Sequence, residues 1–284
     1  MSETLESVIR KWVVNDYFTP NIKAEVILDT LLTPYVPQLL RNECEIDAVF
    51  LTKEMSLEQF LPDGTGPEKK NDRGPKIDYV LTGRYAYLVE LKTTDGSIES
   101  DQAKRYLECC CAPAGRPRTF ASVFGMKLLR ILGKQYSPDC PWELETLPKM
   151  FSGIAGDGKE DDHAERAMRY LRQSGRASTG KYLYTAGQIL DRCPDAASLR
   201  ALWGKELRLL YITPHGTKPH DLLIQCGDPE GEKFYIHPKG TGKYEQSISL
   251  MKAVPELSPG EGGNDYLQML KSIVQGICKE EDHA

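Results

Sequence analysis

Apolar positions in residues 4–14 recur at Leu5, Val8, Ile9 and Trp12, the spacing of a helix with one buried face. Phe18-Thr-Pro20 interrupts that pattern, and Asn21 is a suitable cap for a second helix that runs to Leu32 and stops at Thr33-Pro34. The spacing then changes. Residues 45–51 (EIDAVFL) read as a strand, as do a segment carrying Asp78 that turns at Gly83 and the segment 87–91 (YLVEL). Residues 61–74 (LPDGTGPEKKNDRG) crowd Gly, Pro and charge together as a loop does. After a turn at Asp95-Gly96, Ser100 caps a short helix with Asp101 in its first turn.

Farther along, residues 121–132 read as a helix. Residues 135–204 are polar and helical in pattern, broken at Pro138, Pro141, 153–158 and Pro194, with helices expected at 164–172 and 185–191. The stretch from approximately 135 to 205 therefore reads as a helical insertion. Residues 207–212 form a strongly apolar strand, 221–225 and 234–236 read as further strands around a hairpin loop at 227–231, and 266–277 form a last amphipathic helix. The sequence of elements predicts a single α/β domain over residues 1–284, with a mixed sheet flanked by helices.

The chemistry concentrates in residues 75–106. On a strand, Glu90 and Lys92 point the same way and Leu91 the other. A hairpin through Gly83 brings Asp78 alongside them. YLVEL is otherwise apolar, as in a strand covered on both faces, and a carboxylate there needs a partner. Two carboxylates and an ammonium then converge at one end of the sheet. Acidic oxygens suit Mg²⁺ or Mn²⁺, and a neighbouring lysine can hold an attacking water or stabilise charge on a phosphate. Gln102 and Tyr106, four apart, share one helix face. The plain alternative makes Asp78 a strand-end polar residue and Glu90–Lys92 a solvated pair of little energetic weight. Asp47, in the similar pair Ile46-Asp47, is the rival for the aspartate position. Asp78 is preferred because its strand adjoins the Glu-Leu-Lys strand directly.

Asp78 with Glu90-Leu91-Lys92, Pro75 ahead and Gln102-Ala-Lys-Arg-Tyr106 behind, resembles the signature of the PD-(D/E)XK nuclease superfamily. The Gln-x-x-x-Tyr element is similar to that of its RecB and lambda-exonuclease branch. The resemblance spans residues 75–106. It implies a restriction-endonuclease-like core and a metal-dependent hydrolase that cuts phosphodiester bonds, chiefly in DNA, with RNA left open. It implies catalytic roles for Asp78, Glu90, Lys92, Gln102 and Tyr106. Mg²⁺ or Mn²⁺ would sit on Asp78, Glu90 and the Leu91 carbonyl. In the resembled family a glutamate from the first core helix often completes the metal site, which makes Glu25 the candidate here. The alternative is a non-catalytic nucleic-acid-binding or scaffold protein on the same fold. Relatives work beside a helicase or as homo-oligomeric rings, and neither is readable from this chain.

Composition narrows the picture further. The chain has 284 residues, 40% hydrophobic and 27% charged, with a net charge of -5, as in a soluble globular protein whose nucleic-acid surface must be local. Residues 103–134 carry seven basic side chains against Glu108, or +6, directly after the motif. Lys104, Arg105, Arg116 and Arg118 are accordingly the expected phosphate contacts, a solvated helix face being the ordinary alternative. Eight cysteines, three of them consecutive at 109–111, and the lack of a Cys-x-x-Cys pair fit a reducing cytoplasm better than a disulfide scaffold or a zinc site. His215, His220 and Cys226 lack a fourth zinc ligand. The first residues do not resemble a signal peptide, no apolar run approaches the roughly 20 residues of a membrane span, and neither a phosphate-binding P-loop nor a Gly-x-Ser-x-Gly elbow is present.

Overall fold

The computed structural model describes residues 24–56, 76–94, 97, 100–112, 116–120, 181–216, 245–259 and 263–281. The expected elements at 4–14, 61–74, 121–132, 164–172 and 221–236 lie outside them, as do His220 and Cys226.

Helix α1 (Ala24–Leu32) does not end the helical run at Thr33-Pro34 as expected. A 3-10 turn (Thr33–Tyr35) passes the chain on to α2 (Val36–Cys44). Pro34 and Pro37 both fall at the first positions of their helical segments, where a missing N–H costs nothing. Glu45, in the left-handed region at φ 56°, caps α2. The strand expected from residue 45 therefore starts later and runs longer, as β1 (Val49–Ser56). β2 (Lys76–Thr82) and β3 (Ala86–Leu91) follow the expected hairpin. A Cβ on Gly83 would stand 2.2 Å from the Asp47 carbonyl oxygen, so glycine is what lets the entry to β1 pack on the hairpin turn.

Helix α3 (Ser100–Cys110) leads into a two-stranded ribbon, β4 (Cys111–Ala112) and β5 (Arg116–Pro117). Then come α4 (Lys181–Asp191) and α5 (Ala196–Trp203), the latter capped by Asp195, whose carboxylate accepts from the Ser198 amide at 2.7 Å. β6 (Leu207–Thr213) was legible as an apolar run; β7 (Glu245–Ser249) was not, because EQSIS offers the core only Ile248. The short helix α6 (Leu250–Ala253) and the long α7 (Gly263–Glu281) close the chain's described part.

Strand order is β1-β2-β3-β6-β7. β1, β2 and β3 run antiparallel, while β3, β6 and β7 run parallel, so β3 is the seam between two kinds of pairing. Both faces are covered. Tyr79, Leu81, Tyr87, Val89, Leu91, Leu210, Ile212 and Ile248 face the core shared with α1, α2, α6 and α7. The alternate residues face α3 and α4: Tyr106 of α3 packs on Tyr211, and Gln188 of α4 meets the Thr52 hydroxyl. The result is an α/β architecture with a five-stranded mixed sheet between helices. No described helix is long and apolar enough to cross a membrane.

Candidate active site

β2 and β3 pair from Thr82↔Ala86 to Tyr79↔Val89. One step further along that register, Asp78 stands opposite Glu90. Directly opposed residues of antiparallel strands share a face, here the α3 face. Beyond Tyr79↔Val89 the Asp78 carboxylate takes over from the backbone ladder, its Oδ2 accepting the Leu91 amide at 2.7 Å. An aspartate thus fixes the end of β3 at the point where Glu90 and Lys92 emerge.

Glu90 is 2% exposed and Lys92 8%, values that exclude a solvated surface pair. Lys92 Nζ lies 2.9 Å from Glu90 Oε1 and donates to Gln102 Oε1 at 2.9 Å. Gln102 Nε2 in turn donates to the Tyr106 hydroxyl at 2.8 Å, which donates to the Lys76 carbonyl at 2.8 Å. The spacing of four on α3 is what puts Gln102 and Tyr106 on one line. The chain of bonds ties α3 to the start of β2 and holds the ammonium at the acid pair.

Tyr106 is fully buried. Burial, then the negative charge of Glu90, the neighbouring Tyr211 and the charge of Asp78 push its pKa far above the ordinary phenol value. It therefore remains a phenol wherever the protein is folded, a donor and acceptor rather than a base. Asp78, Glu90 and Lys92 set two carboxyl groups beside one amine, with Glu90 and Lys92 buried and Asp78 half-buried.

The donor set fits a hard divalent cation: two carboxylates and the neighbouring Leu91 carbonyl are oxygen ligands of the kind Mg²⁺ and Mn²⁺ take. Among the described residues no group of three or more His, Cys, Asp or Glu stands close enough to hold a metal ion. Glu25 lies in α1, but its side chain is outside the described residues.

The rival aspartate does not join the site. Asp47 is exposed, ion-paired to Arg41 at 2.7 Å, and sits by Gly83 at the opposite end of the sheet. His215 lies exposed in the turn after β6. Arg105 is exposed on α3. Arg118 is half-buried beside the beginning of β6, where its carbonyl accepts the Leu207 amide. Leu207 pairs with Ala86, whereas Tyr211 pairs with Glu90, so Arg118 also lies toward the far end of the strands from the acid pair. The side chains of Lys104 and Arg116 are outside the described residues. Cys44, Cys109, Cys110 and Cys193 form no disulfide.

Two features of the structure go beyond what the sequence predicts. Tyr211, buried beside Glu90, looked like one more apolar residue of LRLLYIT. On the other face, Lys53 reaches Asp29 Oδ2 at 2.6 Å and the Thr33 hydroxyl at 2.8 Å over the Tyr79 ring. The signal for it was the period-four spacing of Asp29 and Thr33 along the helical run. Comparison of the chain with family models, with curated proteins and with solved structures finds no match.

Proposed function

We propose that the protein is a PD-(D/E)XK-type nuclease that hydrolyses phosphodiester bonds, with DNA as the preferred substrate and Mg²⁺ or Mn²⁺ as cofactor. The observation that carries this reading is the row of half-buried Asp78 and buried Glu90 with Lys92 between Glu90 and Gln102. The strand order supports it as well: an antiparallel meander that bears the acids, followed by a parallel strand, suits a restriction-endonuclease-like core. Asp78, Glu90 and the Leu91 carbonyl would hold the ion, with Glu25 as the further carboxylate. A divalent ion bound there supplies a water of lowered pKa and charge neutralisation at the phosphate.

The chain's own residues do the positioning. Asp78 fixes the end of β3 through the Leu91 amide. Lys92 presents a proton donor to the attacking water or to the scissile phosphate. Gln102 sets the direction of the Lys92 ammonium, and Tyr106 anchors Gln102. Lys104, Arg105, Arg116 and Arg118 remain the phosphate contacts of this proposal.

A specific observation favours the non-catalytic alternative: Lys92 already closes on Glu90 at 2.9 Å, as in a purely structural ion pair. Incubation of the purified protein with labelled single- and double-stranded DNA and RNA, with and without Mg²⁺ or Mn²⁺, separates the two. Cation-dependent cutting that Glu90→Ala and Lys92→Ala abolish is the expected result. Binding without cutting under every condition rejects the enzyme.

A further inference from the structure

We propose that Tyr211 is a positioning residue for Glu90, holding its carboxylate on the Asp78 side of the site. The inference rests on the reading of Asp78 and Glu90 as divalent-cation ligands.

Glu90 has a neighbour on each side. On β2 the residue across from it is Asp78, and on β6 its register partner is Tyr211. The three residues make one row across three strands, on the face that α3 covers. Tyr211 is fully buried. Its ring lies 6.5 Å from that of Tyr106 at a 50° tilt, so the two aromatics brace each other between α3 and the sheet. A carboxylate that turned toward β6 would meet the ring, where it could not be hydrated. Turned toward β2 it meets Asp78 and the end of the strand, where Lys92 approaches it. An aromatic wall on one side and a second acid on the other direct Glu90 toward Asp78. The same ring backs Tyr106, the last member of the chain that directs Lys92.

The ring, and not the hydroxyl, carries this role, which makes the conservative replacement informative. Mn²⁺ affinity is measured by calorimetric titration of the full-length wild type and of Glu90→Ala, Tyr211→Phe and Tyr211→Leu, with near-UV circular dichroism confirming native packing. Tyr211→Met, a further side chain without a ring, stands in if the leucine variant does not fold. The wild type is expected to bind, and Glu90→Ala to lose binding. Tyr211→Phe should stay within about threefold of wild type, and Tyr211→Leu should weaken binding by roughly 10- to 100-fold, the range expected for a group that orients a ligand. A residue that only fills space would lower the melting temperature and leave the affinity of the folded protein unchanged. Wild-type affinity in a natively packed Tyr211→Leu, or an equal loss in Tyr211→Phe and Tyr211→Leu, overturns the inference while leaving the acid pair intact. Absence of Mn²⁺ binding that depends on Glu90 removes the underlying reading, and the inference with it.

Discussion

Two lysines cross from strand to helix on opposite faces of this sheet, and they are built from nearly the same parts. Lys53 of β1 meets Asp29, the Thr33 hydroxyl and the Tyr79 ring; Lys92 meets Glu90, Gln102 and, through it, Tyr106. Both tyrosines are held as neutral phenols, burial being the larger cause in each. The difference lies in charge and water. Asp29 and Lys53 form a one-to-one pair with side chains 21% and 30% exposed, whereas Glu90 and Lys92 are 3% and 10% exposed and share their site with a second acid. A balanced pair near solvent clasps a helix to a sheet. The buried one, with two carboxyl groups beside its amine, offers the oxygen ligands that the proposed divalent cation takes.

The largest expected effect tests that contrast directly. Glu90→Ala and Lys92→Ala should lower DNA cleavage by roughly a thousandfold or more, because each removes a charge made for the reaction. Asp29→Asn should leave cleavage within about threefold and cost only about 1 kcal/mol of stability, read by urea unfolding. Equal losses in both clusters would erase the distinction.

Metal removal comes next. Chelation should abolish cleavage and Mn²⁺ should restore it. Saturating Mn²⁺ should raise the melting temperature of the wild type and of Asp29→Asn, but not of Asp78→Asn or Glu90→Gln. A shift that survives in Glu90→Gln would place the cation elsewhere.

An intermediate effect separates the helper residues. Gln102→Leu should reduce cleavage by roughly 10- to 100-fold through misdirection of Lys92, while Thr33→Val, the corresponding change on the other face, should leave the cleavage rate unchanged. The smallest effect has the opposite sign in the two regions. In chelator, Asp78→Asn should be more stable than wild type by about 1 kcal/mol, since it relieves carboxylate crowding and its side-chain oxygen can still accept the Leu91 amide. Asp29→Asn should be less stable. A destabilised Asp78→Asn would mean that the acid pair already holds a balanced charge.

Much of this was legible because local rules governed it. Alternation placed Glu90 and Lys92 on one face, Gly83 marked the hairpin that brings Asp78 across, and a spacing of four aligned Gln102 with Tyr106. The misses have equally local causes. Thr33-Pro34 has the pattern of a helix stop, yet proline at the start of a helical turn continues the run in a new direction. Glu45 heads an apolar run that fits a strand, yet its backbone caps a helix. β7 was invisible because a polar edge strand with one apolar contact has no amplitude in the pattern. Tyr211 and Lys53 could not be assigned to the two clusters, since their partners come from distant segments and register across strands is not written in spacing along one.

The seam at β3 has a temporal consequence. One neighbour of that strand is its own hairpin mate, available as soon as residue 91 is made; the other, β6, emerges only after the whole stretch up to residue 207 has been synthesised. Pairings of such long separation close slowly. A nascent chain that has not yet reached residue 211 therefore holds Asp78 across from Glu90 while the place of Tyr211 on the other side of Glu90 is still unfilled.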